Sequence, residues 1–386
     1  MENTDTIIIG AGIGGLAAAI ALQQIGHEVT VYERAAELKE MGAGIVLAAN
    51  AMKVLEKLGV AEQVRQAGAP VKKAEIRTWD GKLLGSMPVH EQAKRYGTYS
   101  YLIYRPELQR ILFEQAGPEK IKLAKKFIKL EQKSESLTAI FENVESVESK
   151  LVIGADGANS SVREYVAGSS PLVYSGFTAF RGIALFEDDR FPVELGGGFE
   201  AWGKGTRFGF SHLGKGKVFW FAAINSPKGS LSKPEQPKRS VLKHFKGWWG
   251  PIEGVIQATE DSQILVHEIL DRTPIKCWHK GGAVLLGDAA HPMLPNLGQG
   301  GAQAMEDAYV LSRCIKQFPG NLDFAMSLYE QLRVHRVNKI VKGSRMMARI
   351  MQLENPLAIT ARNQLMRVMP DKIKMKRLDW ILGHEV

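Results

Sequence analysis

Cysteine is almost missing: Cys277 and Cys314 are the only two in 386 residues. Two isolated thiols supply neither a disulfide framework nor a thiolate metal cluster, and they suit a reducing cytoplasm, the expected location. Long apolar runs are missing too. The early TIIIG is short and breaks at glycines, so it reads as neither a secretion signal nor an anchor, and no stretch approaches the length of a bilayer-spanning helix. No metal site is expected. No nucleic-acid-binding pattern is present, and the basic region lacks aromatic stacking platforms, so nucleic acid is not an expected partner. Internal repeats are absent as well.

What is there is ordinary globular material, 45% hydrophobic and 24% charged, in a chain long enough for two domains or an interleaved pair. The formal net charge of +9 is weighted towards the C-terminus, from RVHRVNKIVKGSRMMARIM to PDKIKMKRLDWILG. Such a segment reads first as helices with a buried apolar face and a solvated basic one. Weak peripheral contact with an anionic membrane is the alternative. Monomer and homodimer both remain open.

The strongest local feature is TDTIIIGAGIGGLAAAIALQQIGHEVTVYERA, residues 4–35. A short β-branched strand leads into Gly10, Gly12 and Gly15, a G-x-G-x-x-G spacing that opens a helix, and a second strand ends on Glu33. Gly10 makes the tight turn, Gly12 lets the backbone approach a pyrophosphate, and Gly15 allows close helix–strand packing. Ile13 and Gly14 lie within the same turn. Glu33 is placed to accept from a ribose diol and would repel a 2′-phosphate, so the bound dinucleotide is not expected to be NADP. FAD and NAD both satisfy this motif.

A second stretch separates them. GDAAHPMLPNLGQGG, residues 287–301, follows the apolar AVLLG and precedes the helical AQAMEDAYVLSRCI. Glycines permit close backbone approach, prolines stiffen the loop, and the helix N-terminus behind it favours negative charge. Asp288 is suited to ribityl hydroxyls, and the glycine loop to the pyrimidine edge of a flavin, which carries negative charge when reduced. NAD offers neither feature.

With VIGADGANSSVR at 152–163, three motifs line up, and the chain resembles the FAD-dependent aromatic hydroxylases, the class A flavoprotein monooxygenases of the p-hydroxybenzoate hydroxylase fold. Within them it is similar to the branch of salicylate hydroxylase, urate hydroxylase and zeaxanthin epoxidase. GAGIGG with Glu33 matches the first FAD motif, Asp156, Gly157, Ser160 and Arg163 the DG motif, and GDAAHPMLPNLGQGGAQAMEDA the GD motif. In YRPELQRIL, Arg105 stands where the family has an arginine near the flavin. The likeness extends to QLENPLAITARNQLMRVMP near the C-terminus. It implies bound FAD, transient NADH or NADPH, and dioxygen, with a flavin C4a-hydroperoxide passing one oxygen atom to a small aromatic or hydrophobic substrate by hydroxylation or epoxidation. It further implies that Gly10, Gly12, Ile13, Gly14, Gly15, Glu33, Arg34, Arg105, Asp156, Gly157, Asp288, Pro295, Gly298, Gly300 and Gly301 contact FAD. His291 is expected to shape the loop and not to do acid–base work. The W-x-W-x-I-P pattern of the halogenating relatives is absent; Trp248-Trp249 is a different arrangement.

The expected fold is α/β, a Rossmann-like FAD-binding domain interrupted by an antiparallel β-sheet substrate domain, with a helical C-terminus. Residues 1–70, 100–170 and 273–330 are assigned to the first, 71–99 and 171–272 to the second, and 331–386 to C-terminal helices. AEIRTWDGKLLGSMPV carries Asp80-Gly81, a hairpin signal. LVYSGFTAFRGIALF, GGFEAWGKGTRFGFSHL and KVFWFAAI alternate apolar and polar residues between glycine-rich turns. If this sheet covers the flavin, Phe177, Phe180, Arg181, Trp202, Arg207, Phe219 and Trp220 are candidates for the substrate pocket, with ordinary sheet core as the alternative for each. Arg207 and Pro295 are the candidate catalytic residues. Arg207 is suited to a substrate anion or to polarising the oxygenated flavin, and a surface ion pair is its alternative. Members of this branch often have tyrosine where Phe219 stands, which removes a donor, and of His212 and His267 neither is fixed by the sequence as a base. A flavin-dependent reductase, or a flavoprotein that binds a hydrophobic ligand at a membrane surface without catalysis, are the competing readings.

Overall fold

The computed structural model describes residues 2–3, 5–38, 43–134, 136–142, 146–231 and 234–386. Its centre is a six-stranded sheet in the order His279–Lys280, Ala283–Leu285, Leu151–Gly154, Thr6–Ile9, Val29–Tyr32, Ile121–Lys122, parallel apart from the first pair. Thr6–Ile9 and Leu151–Gly154 are buried throughout, which is why they read as continuous apolar runs and not as alternating ones. Register then does the work that matters for function. Ile9 pairs with Tyr32 and with Gly154, and Gly154 with Leu285, so these strands end level with one another. Every chain segment that leaves this carboxyl edge begins on the same rim.

The helix Ile13–Gln23, IGGLAAAIALQ, is apolar on nearly every side because it is covered on nearly every side, by the sheet and by the helix Gly300–Gln317. Alanine and glycine let it approach closely. Gly10 turns the chain at a positive φ of 108°, and a Cβ there would lie 2.5 Å from the Ala155 carbonyl oxygen. A Cβ on Gly15 would lie 1.9 Å from the Gly10 carbonyl oxygen, whereas one on Gly12 would meet nothing within 4 Å.

A seven-stranded sheet follows the order Leu265–Asp271, Val173–Leu185, Lys217–Asn225, Thr206–Gly214, Gly198–Trp202, Ala74–Thr78, Leu83–Ser86. Its last two strands form a hairpin through Asp80 and Gly81. The expectation of an antiparallel sheet needs one amendment, since Gly198–Trp202 runs parallel to Ala74–Thr78. Those strands come from segments far apart in sequence, so no hairpin constrains their direction. A four-stranded sheet of residues 2–3, 127–132, 137–141 and 146–149 and a three-stranded one of 44–47, 69–70 and 101–104 complete the β-structure of the described residues.

The two faces of the large sheet serve different neighbours. Phe180, Phe208, Phe210, Val218, Trp220 and Ala222 point outward and build a core with the helices Pro237–Phe245 and Pro251–Gln257. Phe177, Ala179, Ala223 and Ile269 point inward and pack on Leu294 and Ala348. The C-terminal segment forms the helices Leu322–Met351, Pro356–Val368 and Asp371–Leu382. Among the described residues, no helix is long and apolar enough to cross a membrane.

The glycine geometry gives a paired test on flavin-free protein. Gly15→Ala lowers the unfolding free energy by about 1–3 kcal/mol because the methyl group has no room. Gly12→Ala leaves it within about 0.5 kcal/mol. Denaturant titrations of the two variants distinguish them.

Candidate active site

Four segments leave the level strand ends and meet. After Ile9 comes the glycine turn, after Tyr32 comes Glu33, after Gly154 comes Asp156, and after Leu285 comes Asp288. Glu33 clasps the turn: the Ala11 N–H donates to Oε2 at 2.8 Å and the Ala35 N–H to Oε1 at 2.9 Å. Each oxygen retains a lone pair for a ribose hydroxyl. Gln109 fixes the other side of the turn by donating to the Ala11 carbonyl at 2.7 Å. Arg34, next to Glu33, is exposed.

Ser160 caps the helix Ser161–Ala167, and Asp156 accepts from its first N–H, that of Ser161, at 2.8 Å through Oδ2, while the Asp156 Oδ1 is buried without a hydrogen-bond partner among the described residues. Burial raises its pKa against the pull of Ser160 and the nearby backbone donors. Gly157 has a positive φ of 82° and open space where a side chain would be. Arg163 is buried and ties two motifs together, donating from Nη1 to the carbonyls of Ala289 at 2.9 Å and Ala290 at 2.7 Å. Burial, then the charge of Arg272, brings its pKa down to about 10.

Asp288 combines two properties that are usually opposed. Its side chain is accessible, yet surrounding protein raises its pKa, against the charges of His291 and Arg105. An acid at the bottom of a cleft behaves this way, and a surface acid does not. Behind it, the helix Gly300–Gln317 begins without a side-chain cap and without an acid in its first turn, as does Ile13–Gln23. Two helix N-termini with free N–H groups thus face one rim.

The loop holding these groups is set by a buried ion network that the sequence reading did not identify. One carboxylate, Asp307, accepts from the Gly287 N–H at 3.0 Å and His291 Nε2 at 2.5 Å through Oδ2, and from Arg333 Nε at 2.7 Å through Oδ1. Arg333 continues to Glu306 at 2.6 Å and to the Gln303 amide at 2.7 Å. Glu306 also receives Asn50 at 2.6 Å and Arg336. Burial pushes the Glu306 carboxyl upward, but Arg333 and Arg336 outweigh it and hold it at about 2. Asp307 is likewise held low, by His291 and Arg333 against burial. His291 is buried on Asp307 and so ties its part of the loop to the network.

The candidate pocket residues divide by strand parity. Residues directly opposite one another share a face. His267 pairs with Ala179, Ala179 with Ala223, Ala223 with Arg207 and Arg207 with Trp202, which makes one inward row. Arg181, Phe221, Gly209 and Glu200 make the next. Phe177 and Phe219 belong to the same face. Trp220 and Phe180 do not: they sit one residue out of phase, in the outward core, where the Trp220 indole donates to Thr259 Oγ1 at 2.8 Å. His212 is also outward, bonded to the Phe191 carbonyl at 2.6 Å. These three are structural residues of the far face.

Arg207 is buried and ion-paired with Glu200 at 2.8 Å, so its pair is internal and not on the surface. Its Nη1 also reaches Met351 Sδ at 3.1 Å, and Asn296 of the glycine loop reaches the same sulfur at 3.4 Å. That thioether brings Arg207 close to Pro295, which is exposed at the start of a 3₁₀ turn ending at Gly298. Arg181 is half-buried and has no carboxylate partner among the described residues. Burial lowers its pKa, and the charges of Arg105 and Arg207 lower it further. Arg105, exposed, therefore lies within electrostatic reach of both Asp288 and Arg181. Phe219 packs with Leu102 and Leu213, and against Gly44, where a Cβ would come within 2.6 Å of its ring. The strand Gly44–Leu47 forms a further wall beside the loop, with Ile45 Cδ1 2.8 Å from where a Cβ on Gly301 would be; the sequence reading did not include it.

A family model for an FAD binding domain matches residues 3–180 and 257–341. The aurachin C monooxygenase/isomerase of Stigmatella aurantiaca is 38% identical over 363 residues, 94% of each chain. The chain belongs to the FAD-dependent aromatic hydroxylase family. A urate hydroxylase of Mycolicibacterium vanbaalenii is 32% identical, covering 91% of this chain and 89% of its own. The structure of Klebsiella pneumoniae HpxO with FAD and uric acid superposes with a TM-score of 0.92 at 28% identity, over 98% of this chain and 97% of that one. The protein is thus an oxidoreductase with FAD as its cofactor. The rim fits that cofactor: uncapped helix N-termini suit the pyrophosphate, the orphaned Asp156 oxygen and accessible Asp288 suit hydroxyl donors, and the space over Gly12 leaves backbone within reach.

Two tests follow from this geometry. Asp288→Ala and Glu33→Ala each weaken FAD binding roughly 10- to 100-fold through loss of bonds to a charged acceptor, read as flavin retained after gel filtration. Glu306, ionised in the fold well below the ordinary glutamate range, contributes stability that is complete above that range and lost as pH falls towards about 2. Glu306→Gln flattens that acid limb in denaturant titrations, while lowering stability near neutrality.

Proposed function

We propose that the protein is an FAD monooxygenase that uses NADH or NADPH and dioxygen to oxygenate a small aromatic or hydrophobic substrate. One oxygen atom enters the substrate, the other leaves as water, and the nicotinamide supplies two electrons. Bound FAD carries the electrons and activates the oxygen; the protein supplies position and a water-poor cavity. The observation that carries this reading is the opposition of Asp288 and the glycine loop to an inward sheet face bearing Arg181, Arg207, Phe177, Phe219 and Phe221.

On this reading, Glu33 and the turn at Gly10–Gly15 hold the adenosine end, Asp288 the ribityl chain, and the N-terminus of Gly300–Gln317 the pyrimidine edge. Arg105 lies near Asp288, and Pro295 would face the flavin where it reacts. The phenyl rings exclude water and take the apolar body of the substrate. Arg181, a half-buried cation with no carboxylate partner among the described residues, takes an anionic or strongly polar group on it. Phe219 offers no hydrogen bond, so proton removal falls to His267, whose pKa is lowered by burial, Arg181 and Arg105. A neutral imidazole beside Arg181 accepts a proton and favours a bound anion.

The deciding experiment follows NADH and NADPH oxidation with peroxide assayed alongside, across phenols, purines including urate, quinones, polyenes and aurachin C. A true substrate speeds oxidation while peroxide stays low; stimulation that yields only peroxide, or none across the panel, counts against oxygenation. With such a substrate, Arg181→Met lowers kcat/KM by roughly 10- to 100-fold while thermal stability holds or rises, since a half-buried charge with no carboxylate partner among the described residues is removed. His267→Asn removes the acid-side fall in kcat/KM that protonation of the imidazole produces in the native enzyme.

A further inference from the structure

We infer that the helix Pro356–Val368 docks the protein onto an anionic lipid surface. The inference stands apart from the catalytic reading and rests on the outer face of this helix. Leu357, Ala361, Leu365 and Val368 recur at i, i+4, i+8 and i+11, which places them on one stripe. That stripe faces away from the protein: Leu357 is 82% exposed, Leu365 58% and Val368 73%. The opposite side is firmly held. Asn355 caps the first turn, and buried Arg362 donates to the Ile350 carbonyl at 3.1 Å. The apolar stripe is therefore a fixed feature of a well-anchored helix, and isolated exposed leucines do not usually align in this way.

Charge selects the occupant. Lys342, Arg349, Arg367, Lys372, Lys376 and Arg377 are exposed on this helix and its two neighbours, and none has an ion pair with a described residue. Of the acids nearby, Asp371 pairs with Lys374 at 2.8 Å and Asp379 with Arg95 at 2.7 Å, while Glu354 accepts from the neutral Asn225 amide at 2.7 Å and keeps its charge. The unneutralised charge around the stripe is thus predominantly positive, with exposed Glu354 the exception. A second copy of the chain would bring two such positive faces together, whereas an anionic bilayer supplies the opposite charge and accepts the apolar stripe between its headgroups. At 13 residues the helix lies in the surface plane and does not enter further. Met346 on the preceding helix and Ile373 on the following one are exposed as well. The inner side of the helix packs on Leu83–Ser86, the edge strand of the sheet that carries the candidate pocket, so docking orients that sheet towards the lipid.

Co-sedimentation of the FAD-loaded full chain with vesicles tests this. Native protein is expected to pellet with phosphatidylcholine vesicles containing phosphatidylglycerol, to remain in solution with phosphatidylcholine alone, and to be released by high salt. The double change Leu357→Glu and Leu365→Glu lowers partitioning by roughly tenfold or more. Changing Lys372, Lys376 and Arg377 to Gln lowers it roughly fivefold per residue. Both variants alter exposed side chains only, so retained flavin and an unchanged melting temperature show that the fold is intact. The inference is overturned if native protein stays in solution with anionic vesicles at low salt, or if the glutamate variant pellets as the native chain does. A dimer in lipid-free buffer that the same variant dissolves, with no vesicle binding, would instead make the stripe a self-association face.

Discussion

The buried carboxylate of Asp307 is the constraint on which the cofactor side of the molecule turns. It holds a backbone N–H of the glycine loop, the ring of His291 and the guanidinium of Arg333 at once. Taking these charges out of water is costly, and the cost is offset only because each donor finds an acceptor at short range. What the arrangement provides is a fixed loop. Arg163 grips the same loop from the other side through two carbonyls, so its backbone is held from two directions while Asp288 and the glycines stay free for a ligand.

The second half of the site depends on parity. In the large sheet, even a single-residue offset decides whether a side chain meets the glycine loop or the outer helices. Arg181 and Phe219 fall on the loop side, and Phe180 and Trp220 on the other. Gly209 has a local role here: a Cβ would come within 2.1 Å of the Phe221 ring, so its absence lets that ring lie flat along the face, with Arg207 5.1 Å from its centroid. Cation, ring and thioether then link the sheet to Asn296 and the loop.

Much of this was legible in the chain itself. The glycine spacing, Glu33, Asp156 and Asp288 are each bound to a strand end, and strand ends are readable from short apolar runs followed by glycine. The family likeness came through those same runs. Facing was not legible, because alternation reveals two faces without saying which is inward, and in KVFWFAAI both are apolar. The ion network was hidden for a different reason. Glu306 and Asp307 close the GD motif on its helix, but the motif does not show their partners, and Arg333 and Asn50 reach them from distant segments. Their complete burial shows the role that the motif leaves open.

The order of strands also bears on how the chain comes to be folded. Thr6–Ile9 is among the first elements to be synthesised, yet its neighbour Leu151–Gly154 gains its other edge only from Ala283–Leu285. The long helix carrying Arg333 comes later still. A nascent chain therefore holds its first glycine turn for most of translation without the surroundings that complete the sheet. Until Arg333 has emerged from the ribosome, closing the loop would bury Glu306 and Asp307 without their principal counter-charge.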